Sequence, residues 1–301
     1  MTHISLVTGN GFDIDLGFPT KYSDFANDVN REWRDFVNMT RTIIKQLFRT
    51  EFVDHMQKAR ENENWFDIEE EIFKFVKTHE NLSREQIGLI REQFEALVEY
   101  LLLYICRVAI QKNKRNGSLA ESLLHKLNSI QHPVSIHTFN YTNCFEITGI
   151  QNSGNVKTHP IHGTLRYDMT LGCRTYDKSK ENTQLDFMYK PIIGSYKEIL
   201  MQNLSTATEV IIFGHSLNSM DFCYFKDFFD ALENGNHICK HLTFVCKDTK
   251  SEECIRQNLN GNICLSKIEN QVTTTFIYTD LWNGNDITTH NAFEDLCNRI
   301  S

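Results

Sequence analysis

The run Ile4-Ser5-Leu6-Val7-Thr8 breaks abruptly into Gly9-Asn10-Gly11-Phe12-Asp13, and no other stretch restricts the fold as much. A short apolar run bounded by glycine reads as a buried strand, and Gly-x-Gly directly after it reads as a loop whose backbone approaches something closely. Without a Cβ such a loop can bring its N–H groups against an anion, and it can take positive φ. The next glycine is Gly17, so the spacing is not the G-x-G-x-x-G of dinucleotide-binding folds. A tight turn gives the same pattern, so the reading depends on what the rest of the chain supplies.

From Lys21 to about Ile130 the pattern is helical, with Gly88 the sole glycine before Gly117. Phe25, Val29, Trp33, Phe36, Ile43 and Leu47, then Phe52, Val53 and Met56, recur mostly every three or four residues, which predicts two or more amphipathic helices. Phe66, Ile68, Ile72, Phe75 and Val76 predict another. Ser83-Arg84-Glu85-Gln86 is a capping box opening a longer helix, whose stripe runs Ile87, Ile90, Phe94, Leu97, Leu101, Ile105 and Val108. Leu119 to Ile130 predicts one more. Strands return at Val134–Phe139, then near Val156–Ile161, Glu209–Phe213, Leu242–Cys246 and Val272–Tyr278. Helices are predicted near Tyr196–Leu204, Asp221–Glu233, Ser251–Asn258 and His290–Ile300, with Leu171-Gly172-Cys173 a candidate short strand. This alternation predicts an α/β, Rossmann-like, mostly parallel sheet. Residues 1–19 and 131–301 form the expected core. Residues 20–130, too many for an ordinary βα connection, form a large helical insertion after the first strand.

The chain of 301 residues carries a formal charge of −8, which argues against phosphate-backbone binding as its main role. Lys112-Asn113-Lys114-Arg115, its densest basic run, reads as a solvated helix end. The longest apolar run, Leu101 to Cys106, is too short to span a bilayer, and no basic region precedes the first apolar run, so the expected location is the cytoplasm. Nine cysteines without a C-x-x-C pair fit reduced thiols.

Three further motifs stand where strands end: Phe139-Asn140-Tyr141-Thr142, His162-Gly163 and Gly214-His215-Ser216-Leu217. Ligands of open α/β sheets bind outside the carboxyl ends of the strands, so four such ends are expected to converge on one crevice. The order GNGFD, FNYTN, IHG and FGHSL followed by Asp221 closely resembles the AbiH abortive-infection family of bacterial antiphage proteins. Trp65-Phe66-Asp67-Ile68-Glu69-Glu70 resembles that family's W-x-D-x-E segment. The sheet portion is also similar to the sirtuin-like NAD-binding fold. That second resemblance implies that Gly9, Asn10 and Gly11 wrap the pyrophosphate of NAD. It places Asn140 by the nicotinamide ribose, makes His162 the base, and turns Gly214 and Ser216 toward the adenosine half. Phe12, Asp13, Tyr141, His215, Leu217 and Asp221 complete the expected cofactor-binding set. Two departures stand out. The paired C-x-x-C of the sirtuin zinc module is absent, which argues against a protein deacylase, and Thr142 stands where many sirtuin-like hydrolases carry an acidic residue.

Plainer roles compete for the same residues. His162 could terminate a strand, His215 could shape a turn, and either Asn140 or Asn143 could cap a helix. Asp13 and Asp15 could touch a ribose or cap a helix. Asp67, Glu70 and Glu71 could face a cation, but an acidic first turn complementing the helix dipole accounts for them, and no metal is expected. His159 and His162 are poorly disposed to share an ion from an extended segment.

The reading is an NAD glycohydrolase of antiphage defence, with Asn140 and His162 catalytic and NAD depletion the toxic act. The alternative is a non-enzymatic module that senses NAD or a related nucleotide and signals to a partner; a nuclease has little support. A phage-derived trigger is expected, and the insertion is expected to cover the crevice or to join copies of the chain. No membrane or direct nucleic-acid partner is expected.

Overall fold

Runs rich in β-branched and aromatic residues bury both faces of a sheet only when helices flank each side. The computed structural model of the chain has this arrangement. It describes residues 3–27, 35, 51–62, 67–111, 114–165, 169–174, 182–190, 194–282, 284 and 286–301. Six strands, β1 (Ile4–Thr8), β2 (Val134–Thr138), β3 (Val156–Pro160), β4 (Glu209–Phe213), β5 (His241–Cys246) and β6 (Thr273–Tyr278), form one sheet. Their order is β3-β2-β1-β4-β5-β6 and every pairing is parallel. β1, β2 and β4 are buried along their whole length, whereas the edge strands β3 and β6 are only partly so. This is the Rossmann-like order, in which the chain reverses its direction of travel between β1 and β4, and ligands of such sheets bind beyond the carboxyl ends of the strands at that point.

The register places the motifs. Thr8 lies opposite Thr138 and Phe213, and Thr138 lies opposite Pro160. Gly9, Phe139, Ile161 and Gly214 therefore leave the sheet side by side, followed by Asn10, Asn140, His162 and His215.

By contact the chain divides into two units. The first comprises Met1–Phe18, Lys112–Thr164 and Ile192–Ser301 and holds the whole sheet. Its core includes Val7, Val210, Ile212, Leu242 and Phe244 of the strands with Leu200, Leu204, Phe228 and Phe229 of two helices, Gly194–Thr206 and Lys226–Glu233. Helix Leu119–Ser129 also belongs here, although its sequence reads as the end of the insertion. The reason is local: Asp15 Oδ2 accepts the Ala120 N–H at 2.8 Å, and the Arg115 N–H donates to the Leu16 carbonyl at 2.6 Å.

The second unit comprises Pro19–Gln111 and Leu165–Pro191. Among the described residues it contributes no strand to the sheet. Ser83 and Gln86 form the reciprocal capping box in full: the Gln86 N–H donates to Ser83 Oγ at 3.2 Å and the Ser83 N–H to Gln86 Oε1 at 2.9 Å. Phe52, Phe75 and Phe94 are buried and pack edge to face. Asp67 caps helix Ile68–Thr78 by accepting from the Glu69 and Glu70 amides. Glu69 pairs with the buried Lys190 at 2.6 Å and accepts from the Tyr22 hydroxyl at 2.9 Å, while Glu71 pairs with Lys74 and His55. The acidic turn is thus engaged by a cap and by ion pairs. The candidate strand at 171–173 is a single parallel bridge, Cys173 to Tyr189. Val29, Trp33, Phe36, Ile43, Leu47, Trp65 and Phe66 lie outside the described residues.

Candidate functional site

Beyond the ends of β1 and β4 the two glycine-bearing loops interlock. The Gly9 N–H donates to the Phe213 carbonyl and the Gly11 N–H to the Gly214 carbonyl, each at 2.9 Å, and the Phe12 N–H closes back on the Gly9 carbonyl. A Cβ on Gly9 would lie 2.6 Å from the Gly214 oxygen, and one on Gly11 would lie 2.6 Å from Gly214 Cα. Gly214 itself has φ +65°, and a Cβ there would meet the Phe12 nitrogen at 2.4 Å. These glycines are required because two loops touch across the switch point. That differs from the sequence reading, in which they let amides approach an anion: the amides of Gly9, Gly11 and Phe12 already serve backbone carbonyls.

Other members of the expected set also turn inward. Phe12 is fully buried, edge-on to Phe213, and Leu217, at φ +53°, is fully buried as well. Tyr141 is buried, Asn10 is half-buried, and Ser216 is exposed with its carbonyl accepting from Asn258 Nδ2.

Two polar clusters occupy the second row of strand ends. In the first, Asp13 is the centre. Asn140 Nδ2 donates to Asp13 Oδ1 at 2.9 Å and to the Gly9 carbonyl at 3.0 Å, and the Thr142 hydroxyl donates to Asp13 Oδ2 at 2.5 Å. Burial pushes the Asp13 carboxyl up to about 6, against the opposing pull of the bonds from Thr142 and Asn140. Asn143, not Asn140, caps the following helix, accepting from the Phe145 and Glu146 amides. Asn140 is thereby left to the cluster. Asp15 serves the Ala120 amide and is no neighbour of this group's hydrogen bonds.

In the second cluster Asp221 lies between two imidazoles. His162 Nε2 is 3.2 Å from Asp221 Oδ1, and His215 Nε2 is 3.7 Å from Oδ2. The shorter contact has the reach of an ion pair without the alignment of a hydrogen bond. His215 Nδ1 accepts the Leu217 N–H at 3.0 Å, which assigns its ring proton to Nε2, facing the carboxylate. Phe139 meets His162 and His215 edge to face at 5.1 and 4.4 Å and stacks on Phe225 at 5.4 Å. His215 thus both shapes its turn and joins the cluster. His159 points elsewhere and stacks on His137.

The structure brings Asn140 to Asp13, and His162 to Asp221. The sequence alone sets Asp13 and Asp221 against a nucleotide and reveals neither partnership, nor the parts played by Phe139 and Thr142. The register holds a signal for Phe139, since it follows β2 in line with the residues just before His162 and His215. An imidazole backed by a carboxylate can accept a proton from a water or a sugar hydroxyl. Among the described residues no group of three or more His, Cys, Asp or Glu could hold a metal ion, and no helix is long and apolar enough to cross a membrane.

Residues 6–241 match the family model for bacteriophage abortive infection AbiH. No curated protein and no solved structure matches the chain. The matched stretch runs from β1 to the start of β5 and contains the interlocked loops, both polar clusters and the Asp67–Glu69 turn. The chain belongs to the AbiH family of bacteriophage abortive infection.

Proposed function

We propose that this AbiH-family chain binds NAD at the carboxyl ends of β1 to β4 and hydrolyses its nicotinamide–ribose bond, depleting the infected cell of NAD. The observation that carries the reading is positional: Asn140 and His162 leave adjacent parallel strands at the same level of the sheet, beside the β1/β4 switch point. In the reaction the C–N bond breaks with its electron pair passing to the pyridinium nitrogen. Nicotinamide leaves neutral, and the sugar passes through an oxocarbenium-like centre. Water adds to that carbon and gives its proton to His162, whose positive charge Asp221 then faces at 3.2 Å. Asn140 positions the ribose. With three amides of the Gly9–Phe12 loop engaged internally, the pyrophosphate contacts fall to other groups at the crevice.

One observation favours a second reading, a sensor that binds NAD or a related nucleotide without turnover and passes the signal to a partner. Asn140, His162, His215 and Asp221 are each exposed by no more than a tenth. Incubating the purified protein with NAD, with and without phage lysate, and following nicotinamide and ADP-ribose by chromatography separates the two. Turnover that falls about a hundred- to ten-thousand-fold in His162→Ala with NAD affinity retained is the expected result. Binding without turnover under both conditions leaves the sensor, and no binding at all removes both readings.

A further inference from the structure

A primary amide can show a ligand either two N–H donors or a carbonyl acceptor, and which one it shows is set by its neighbours. Both donors of Asn140 point into the protein, one at the Gly9 carbonyl (3.0 Å) and one at Asp13 Oδ1 (2.9 Å). The Gly9 carbonyl cannot change its role, because a peptide carbonyl never donates, and the ionised Asp13 accepts at Oδ1. Only a proton on Oδ1 itself would let Asp13 donate there, and the Gly9 carbonyl would still oppose the rotated amide oxygen. Rotating the amide by half a turn would set its oxygen against two oxygens in a buried place, costing Asn140 and Asp13 Oδ1 their bond and leaving the Gly9 carbonyl with the Phe12 N–H alone. Meanwhile Asn140 Oδ1 accepts no hydrogen bond among the described residues, and it is not among the buried atoms sealed from solvent.

We infer that Asp13, together with the Gly9 carbonyl, is a positioning residue that commits Asn140 to offer its carbonyl oxygen to the ligand. This point of the site therefore selects a hydrogen-bond donor, a sugar hydroxyl, and rejects an acceptor or anion such as a phosphate oxygen. The identity of that hydroxyl as one on the ribose of NAD rests on the reading above. The orientation of the amide does not. The GNGFD motif thereby gains a second role, its first glycine supplying one acceptor and its aspartate the other.

The test has two parts on the full chain. The first needs no ligand: nuclear magnetic resonance of protein labelled with nitrogen-15 at asparagine, the Asn140 side-chain pair being assigned by its loss in Asn140→Asp. Both Asn140 amide protons should exchange slowly with solvent in the native chain. Asp13→Asn should keep that protection, because the new carboxamide can accept from Asn140 and donate to Thr142. Thr142→Val should keep it too, while Asp13→Leu should lose it. Fast exchange of both protons in the native chain overturns the inference, even if Asp13→Leu fails to fold. The second part is calorimetry with NAD and with its 2′-deoxy and 3′-deoxy ribose analogues. The native chain, Asp13→Asn and Thr142→Val should bind one analogue about tenfold more weakly than NAD, the loss of one hydrogen bond, and Asp13→Leu should lose that discrimination. Discrimination unchanged in a folded Asp13→Leu overturns the positioning role. Protected amide protons with no binding of any of these ligands support the orientation and sink the NAD reading instead.

Discussion

Two of the places where the sheet unit buries polar side chains are built differently. At the carboxyl edge, Asp13, Asn140, His162, His215 and Asp221 come from four separate strand-end loops and meet in two clusters. The other place is the layer beneath helix Gly194–Thr206. There Ser5, Ser135 and His137 lie within adjacent strands and are tied to the helix or to one another. Ser5 Oγ donates to the Asn203 carbonyl, His137 Nε2 meets Asn203 Nδ2 at 3.2 Å, and His3 Nε2 meets Ser135 Oγ at 3.1 Å. His137 also stacks on His159 at 5.0 Å, and burial foremost pushes it down to about 3, so it is neutral at physiological pH. Burial and displaced pKa values are therefore common to both places and cannot by themselves mark a site. The difference lies in convergence. Side chains from one strand face, answered by one helix, act as polar adhesive between layers. Side chains from several loops, arriving beside glycines that permit close approach, form a place where a ligand can be handled.

The largest effect expected from breaking this arrangement is at the interlock. Gly214→Val forces a β-branched residue to φ +65° and drives its Cβ into the Gly11–Phe12 backbone. Strain and overpacking together should cost roughly 2–6 kcal/mol, a large part of a typical domain's stability. Gly11→Ala adds the overpacking without the φ strain and should cost roughly 1–3 kcal/mol. By contrast Gly88, within a helix and with nothing within 4 Å of an added Cβ, should gain about 1 kcal/mol on substitution by alanine. Urea midpoints for the three variants give the answer, and native stability in Gly11→Ala would refute the interlock.

Next comes the sharper contrast between the two polar regions. Asp221→Asn removes the charge that faces both imidazoles while keeping its shape. On the proposed reading as an NAD hydrolase, turnover should drop by about a hundredfold or more, with the folding midpoint little changed. His137→Leu, in the layer, should leave turnover intact. It removes a buried imidazole whose Nδ1 has no partner among the described residues, at the cost of the contact to Asn203. Stability at neutral pH should therefore move by no more than about 1 kcal/mol either way. If His137→Leu abolishes activity while Asp221→Asn does not, the assignment of roles is reversed.

Much of this is legible in the residues. The strands beginning at Val134, Val156, Glu209, Leu242 and Val272 read from sequence to within a residue or so: apolar runs mark the buried β4 and β5, and β-branched residues mark the partly buried edge strands β3 and β6. Their parallel direction puts Asn140 and His162 at one edge. Pairing across the sheet order is another matter. Nothing in the chain says that β1 sits between β2 and β4, and that neighbourhood is what brings Asp13 to Asn140 and Gly11 to Gly214. The glycine loop misleads for the same reason, since closeness to an anion and closeness to another loop make the same demand on a sequence. Helix Leu119–Ser129 reads as part of the insertion because amphipathic periodicity marks a helix without naming the surface it packs on.

The effect that is smallest in the native chain tests both regions at once, through the slope of stability against pH. Asp13 has its pKa raised to about 6 from an ordinary 3.8, so the folded state holds that proton more tightly than the unfolded chain. Its contribution is therefore lost as pH rises from about 4 to 6. His137 has its pKa lowered to about 3 from 6.5, so the unfolded chain takes up the proton first, and its contribution is lost as pH falls below about 6.5. Between about pH 4 and 6 the two slopes oppose each other, each by at most roughly 1.4 kcal/mol per pH unit, and they largely cancel in the native chain. Removing one should expose the other. Relative to the native chain, Asp13→Asn should lose stability on acidification through this window, and His137→Leu should gain it. Urea midpoints at pH 4.5, 5.5, 6.5 and 7.5 measure both differences, and parallel profiles for the two variants would show that neither group is buried as described.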